Sequence, residues 1–390
     1  MRHLEPTDEA YDVVVVGARA AGAATAFLLA RRGLRVLVLD RSRYGSDTLS
    51  THALMRAGVL QLSRWGLLDR IIAAGTPAIR QATFRYDGDV VPIAVKPSAG
   101  VDALYAPRRT VLDPILVDAA MAAGADLRFG VVVADVERDH RGTVTGVTGR
   151  VRDGGGFRVR ARVVIGADGI FSTIADRVGA PYEKVGSAGS SCTYGYWTDL
   201  DTDGYEWNFR PNAASGVIPT NDGQACVFAA ATPKRIGRGG RRILEEIVAE
   251  SAPDLVPRLA AAEAPRSLRT FKGRPGHLRR SWGPGWALVG DAGYFKDPLS
   301  SHGLTDALRD AELLARAVTA VVLDGADDRD ALAGYQATRD AVSGELLDVA
   351  NAIGAHRWTN TEIPALLLRL NAAANETVEA VSALDAELVT

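Results

Sequence analysis

Residues 12–40, DVVVVGARAAGAATAFLLARRGLRVLVLD, constrain the fold of this chain more than any other stretch. They read as strand, tight turn, helix and strand. Val13, Val14, Val15 and Val16 form an unbroken β-branched run, the mark of a strand buried on both faces of a parallel sheet. The turn is Gly17-Ala18-Arg19-Ala20-Ala21-Gly22. A dinucleotide fingerprint has glycine at its first, third and sixth places, and here the third is Arg19. Gly17 permits the sharp turn. Gly22 lets the helix approach the sheet, and Ala20, Ala21, Ala23 and Ala24 keep that helix slim. The helix start then offers unpaired N–H groups and a positive dipole end to a pyrophosphate. Asp40 closes the second strand, with Arg41 after it. A carboxylate about 20 residues past the glycines accepts hydrogen bonds from a ribose diol. Arg19 has two readings here: its side chain lies along a phosphate, or it is solvated.

With 390 residues, 47% of them hydrophobic, the chain can bury the core of two interlocked domains. A net charge of −2 with scattered arginines leaves no basic footprint for nucleic acid. The polar opening MRHLEPTDEAYD is not a signal peptide, and the apolar run after it is too glycine-rich to span a membrane. Cys192 and Cys226 have no metal-ligand spacing, so no metal site is expected. These features together predict a cytoplasmic protein.

Two later stretches extend the pattern. RVVIGADGIFSTIADRVG, at 162–179, is a strand, then Gly166-Ala167-Asp168-Gly169, then a helix start at Ser172. WALVGDAGYFKDPLSSHGLTDALRDAELLARA, at 286–317, ends a strand in Gly290-Asp291-Ala292, passes through Pro298 and enters a helix near Gly303. Each pair is a common turn by itself, but the three stretches in this order resemble the flavoprotein family of para-hydroxybenzoate hydroxylase, the flavin-dependent halogenases and the geranylgeranyl reductases. The resemblance covers most of the chain and implies FAD, tightly but non-covalently bound. It implies that Asp291 holds the ribityl chain and that Asp168-Gly169 lies near the pyrophosphate and serves NAD(P)H. It also implies that Arg109, or Arg108 beside it, approaches the flavin side from the helix start in PRRTVLDPILVDAA. The segment from Pro298 to Gly303 would pass the flavin ring. The backbone N–H groups of Ser301, His302, Gly303 and Leu304 suit the anionic edge of a reduced flavin.

The expected fold class is α/β: a discontinuous Rossmann-type FAD-binding domain with an inserted, mostly antiparallel substrate domain and a C-terminal helical segment. The FAD domain is read as 1–80, 108–180 and 276–335, the substrate domain as 81–107 and 181–275, and the helical segment as 336–390, broken at Pro364. Tyr194, Tyr196, Tyr205, Trp207 and Phe209 are the expected substrate pocket. Tyr205, Trp207 and Phe209 alternate and so share one face. That face looks either at the flavin or at the C-terminal helices.

Catalytic candidates are His52, in DTLSTHALMR, with Tyr205 and Trp207. His52 has three functional readings, as a hydrogen-bond partner of the flavin, a proton relay or a covalent tether, beside that of a plain helix-start residue. The resemblance implies a reduced flavin that meets O2 at C4a to give a hydroperoxide, with NAD(P)H as a transient reductant. A small-molecule substrate and O2 are the expected partners, and in the halogenase branch also a flavin reductase. Hydroxylation of an aromatic or polycyclic molecule is the leading expectation. The run Tyr205-x-Trp207-x-Phe209-Arg210-Pro211 partly matches the geranylgeranyl reductases and keeps C=C reduction open. It matches the halogenase segment poorly.

Overall fold

The computed structural model describes residues 10–86, 88–152 and 154–384. The polar opening 1–9 and the last six residues lie outside them. Among the described residues an eight-stranded sheet carries the fingerprint. Its parallel part runs in the order Trp286–Leu288, Gly156–Gly166, Ala10–Val16, Val36–Asp40, Asp126–Phe129. Strand Gly156–Gly166 serves twice. Its first half pairs antiparallel with Val144–Val151 in a meander, and its second half pairs parallel with Ala10–Val16. Val13 and Val15 pack beneath helices Ala20–Arg31 and Gly303–Val322, while Val14 and Val16 pack toward the meander. Both faces of the strand are therefore buried, as its unbroken valine run requires.

A second, seven-stranded sheet runs Arg269–Phe271, Ser191–Thr198, Gln224–Ala231, Ala213–Pro219, Tyr205–Arg210, Gln81–Tyr86, Asp89–Ala94. Every pair is antiparallel except Tyr205–Arg210 with Gln81–Tyr86. One face is covered by helices Arg241–Ser251 and Leu255–Ala261, which the sequence reading did not separate from the strands around them. Leu244, Ile247, Val248 and Ser251 form the buried stripe of the first, at helical spacing. The other face turns toward the first sheet and the helices Asp328–Gly354 and Ile363–Ser382. Pro364 starts the last helix rather than breaking one, since a proline in the first turn gives up an N–H that has no partner there. No helix among the described residues is long and apolar enough to cross a membrane.

Candidate functional site

The fingerprint turn is held by contacts that only glycine allows. Gly17 has φ +107°, and a Cβ there would lie 2.4 Å from the Ala167 carbonyl oxygen. A Cβ on Gly22 would lie 1.9 Å from the Gly17 oxygen. The third place is different: Arg19 is extended, with φ −82°, so its Cβ is not strained. Its side chain neither floats in solvent nor points freely at a ligand. It pairs with Asp113 at 3.0 Å and with the Ser46 hydroxyl at 3.1 Å. Arg109 takes the other Asp113 oxygen at 2.9 Å. Asp113, which the sequence reading passed over, therefore fixes two arginines beside the turn.

Two carboxylates have tasks within their own turns. Asp40 is 7% exposed and accepts from the Ala18 N–H and the Ser42 N–H, both at 2.6 Å. Its short side chain folds back onto the turn. Asp168 accepts from Ser172 Oγ and from the N–H groups of Thr173 and Ile174, capping helix Thr173–Arg177. It is an anchor of that helix. Arg41 is exposed on the loop beyond Asp40.

Asp291 is the opposite case. It follows Gly290, whose φ of +61° and close approach to Ala21, 2.9 Å for an added Cβ, bring this strand end against the start of helix Ala20–Arg31. No hydrogen bond or ion pair to its carboxylate is found among the described residues. Burial pushes that carboxyl up to about 6, against the pull of Lys296 and Arg109. An acceptor without a donor, next to a cradle that a Cβ would fill, fits the ribityl hydroxyls of FAD.

The next turn is locked from beneath. Asp297 is fully buried and accepts from Leu299 N–H at 3.0 Å and Ser190 N–H at 2.5 Å. Pro298 starts this turn, Ser301 ends it in the left-handed region, and His302 precedes helix Gly303–Val322. The His302 ring is bound to the Ser300 carbonyl, and burial keeps it neutral. The first-turn N–H groups of the 20-residue helix, Gly303 and Leu304 among them, have no acceptor within the helix. These are the donors that suit a flavin edge.

Burial without a countercharge raises the Asp297 carboxyl to about 6, from about 4 in an unfolded chain. The native state therefore binds this proton more tightly than the unfolded state does. The stability that proton brings is present below pH 4 and is lost as pH rises to 6. The expected loss is about 3 kcal/mol, and it should vanish in Asp297→Asn, as urea denaturation at pH 4 and pH 7 would show.

The loop at 47–55 joins this turn to the second sheet. Met55 N–H donates to Thr305 Oγ at 2.9 Å, and Ser50 N–H donates to the Tyr194 hydroxyl at 3.0 Å. His52 is 2% exposed, left-handed at φ +52°, and stacked on Tyr196 with ring centroids 5.4 Å apart. Burial first, then Arg108, Arg109 and Arg269, hold its imidazole well below the usual range.

Of the expected pocket residues, Tyr194 and Tyr196 contact this loop, and Tyr205 reaches it at Leu54. The Tyr205 hydroxyl donates to the Tyr105 carbonyl at 2.8 Å. Trp207 meets Tyr205 edge-on and Phe228 at a tilt, and Phe209 meets Trp358 edge-on. Their shared face packs against Val349, Ile353, Trp358 and Ile363. Ala53, Met55 and Leu299 belong to the same apolar cluster, so this face also reaches the 47–55 loop and the Pro298 turn.

A glycine-cradled strand end followed by an aspartate without a donor fits a flavin nucleotide. The FAD binding domain family model matches residues 10–350, and the chain belongs to that family. Digeranylgeranylglycerophospholipid reductase of Methanocella arvoryzae is 26% identical, over 87% of this chain and 85% of that protein. Aklavinone 12-hydroxylase DnrF of Streptomyces peucetius is 28% identical, over 89% of this chain and 75% of its own length. Among solved structures, the flavin-dependent brominase Bmp2 superposes with a TM-score of 0.81 at 18% identity, covering 95% of this chain and 94% of that one. PqsL of P. aeruginosa gives 0.77 at 22%, over 94% and 100%. The protein is an FAD-dependent oxidoreductase.

Proposed function

We propose that the protein is a monooxygenase that hydroxylates an aromatic or polycyclic small molecule, with NAD(P)H as reductant and O2 as co-substrate. Bound FAD would supply the electrons and activate the oxygen. Gly17, Gly22, Gly290, Asp291 and the first-turn amides at Gly303 and Leu304 would hold it without a covalent bond. The observation that carries the reading is the character of the space beside the flavin-edge turn. Arg108, Arg109 and Arg269 surround His52 there, while part of the apolar aromatic face is covered by Val349, Ile353, Trp358 and Ile363. An isoprenoid chain would need that apolar face.

Reduction of a C=C bond is the second reading, favoured by the likeness to a reductase over 87% of the chain. Stopped-flow mixing of anaerobically reduced protein with O2 separates the two. A transient band before oxidised flavin returns supports oxygen insertion. A single featureless reoxidation, together with anaerobic saturation of an alkene, supports the reductase.

Direct use of NAD(P)H is supported by a cleft of about 480 Å³ near the Asp168 helix. Arg274 lies 5.1 Å over the exposed Phe171 ring, and Arg279 lies 4.0 Å over Tyr182. Aromatic faces with guanidinium groups suit a base and its phosphates. Arg274→Ala should raise the KM for NAD(P)H about tenfold, the loss of one charge-assisted contact, with FAD content unchanged. An unchanged KM would move the reductant elsewhere.

A further inference from the structure

We propose that Asp113 and Asp306 are positioning residues: they pin two buried cations, Arg109 and Lys296, away from Asp291, so that Asp291 meets FAD as a free hydrogen-bond acceptor. The inference rests on the assignment of Asp291 to FAD above and is independent of the reaction that follows.

The arrangement is the same on both sides of Asp291. Arg109 and Lys296 are the two cations whose charge reaches its carboxylate, and both are buried. A buried cation beside a carboxylate ordinarily closes an ion pair with it, because a lone buried charge is strongly destabilising. Neither cation does so here. Arg109 and Asp113 stand four residues apart on helix Arg109–Ala122, hence on one face. Arg109 Nε donates to Asp113 Oδ1 at 2.9 Å. Arg19, itself held by Ser46, occupies Oδ2 at 3.0 Å, so Asp113 is fixed from the fingerprint turn as well. On the other side, Lys296 Nζ lies 2.5 Å from Asp306 Oδ2, and Arg309 holds Oδ1 of the same carboxylate.

The two carboxylates therefore do for the cations what Asp291 would otherwise do. Asp113 and Asp306 are closed to any ligand by burial, whereas Asp291 keeps part of its surface open. A guanidinium or ammonium donor bonds a carboxylate more strongly than a neutral hydroxyl does, and would displace a ribityl hydroxyl from Asp291. Held one shell back, the same cations favour the ionised carboxylate and leave its lone pairs to the cofactor. No ion pair has to break when FAD enters, which is preorganisation of the acceptor.

The test dilutes FAD-loaded protein through its dissociation range and follows the fluorescence of released flavin. Asp113→Asn should weaken FAD binding about ten- to a hundredfold, because the freed Arg109 turns to Asp291. Removing that cation should reverse the loss. Asp113→Asn combined with Arg109→Met should bind FAD about tenfold more tightly than Asp113→Asn alone, a rescue that lost packing would not give. Asp306→Asn, alone and with Lys296→Met, repeats the comparison on the other side and carries the test should Asp113→Asn fail to fold. Single variants that bind FAD like the wild type overturn the inference. So do double variants as weak as the single ones, which would make the cations themselves FAD contacts. Asp291→Asn separates the inference from the assignment beneath it. If that variant keeps its FAD affinity, both fall. If it loses affinity while Asp113→Asn and Asp306→Asn do not, Asp291 stays with FAD and only the pinning role falls.

Discussion

Gly22→Ala protein is expected to come without bound FAD and with a markedly lowered Tm. The added methyl carbon would sit 1.9 Å from the Gly17 oxygen and 3.0 Å from the Ala167 Cβ. The first of these is backbone in the turn itself, so no side-chain rotation relieves it. Helix Ala20–Arg31 would have to move off the strand pair that it covers. Ala23, Ala24 and Leu28, all fully buried against that sheet, would lose their packing with it. Overpacking of this kind costs about 1–3 kcal/mol where side chains can adjust, and more where backbone must. The same shift carries the helix's first N–H groups away from the pyrophosphate position. The released-flavin absorbance of the purified protein and its melting curve are the measurements. Full flavin content would mean that the helix contact at Gly22 does not govern the site. Arg19→Gly makes the contrasting case, since it relieves no clash and removes only the links to Asp113 and Ser46.

That contrast shows what is legible in the sequence. Gly17 and Gly22 announce themselves because a tight turn under a helix leaves few other residues room. The valine run announces a doubly buried strand because burial on both faces erases alternation. Carboxylates are harder. Asp40, Asp168 and Asp291 all follow strands, and only the fold tells which are consumed by their own turns. Asp168 did carry a signal, a hydroxyl residue at Ser172 opening a helix start, which is a capping arrangement. Asp40 carried none. The bridge from Asp47 to Arg108 and Arg269 spans 61 and 222 positions, and the pairing of Asp113 with Arg19 spans 94, so no local pattern contains them. Alternation placed Tyr205, Trp207 and Phe209 on one face but could not say what lies opposite. Helices Asp328–Gly354 and Ile363–Ser382 decide that, and they come from the far end of the chain.

Arg309→Met is expected to cost about 3–5 kcal/mol of stability, the usual result of stranding a buried charge. Arg309 is 1% exposed in its side chain. It gives two hydrogen bonds to Asp310, at 2.7 and 2.9 Å, one to Asp306 at 3.3 Å and one to Ser343 Oγ at 2.8 Å. It also reaches Thr377 Oγ at 3.5 Å, so one guanidinium ties helix Gly303–Val322 to both C-terminal helices. Asp306 keeps Lys296 when Arg309 is lost, but Asp310 keeps only the pull of Arg339, with no ion pair of its own among the described residues. Burial already raises the Asp310 carboxyl, and without the arginine it would rise further. The penalty should therefore shrink at low pH, where the orphaned carboxyl is neutral. Arg309→Met combined with Asp310→Leu should recover most of the loss, because the pair then leaves no lone charge. Urea denaturation of the single and double variants at pH 5 and pH 7.5 measures both effects. Equal losses in the two variants would assign the cost to packing instead of charge. The flavin content of the single variant carries the functional consequence. Asp306 lies in the first turn of the helix whose free amides we assign to the flavin edge, and Arg309 secures it one turn further on. Loosening that anchor at Arg309 should weaken FAD retention even though Arg309 itself lies behind the helix start and touches neither Asp291 nor the glycine turn.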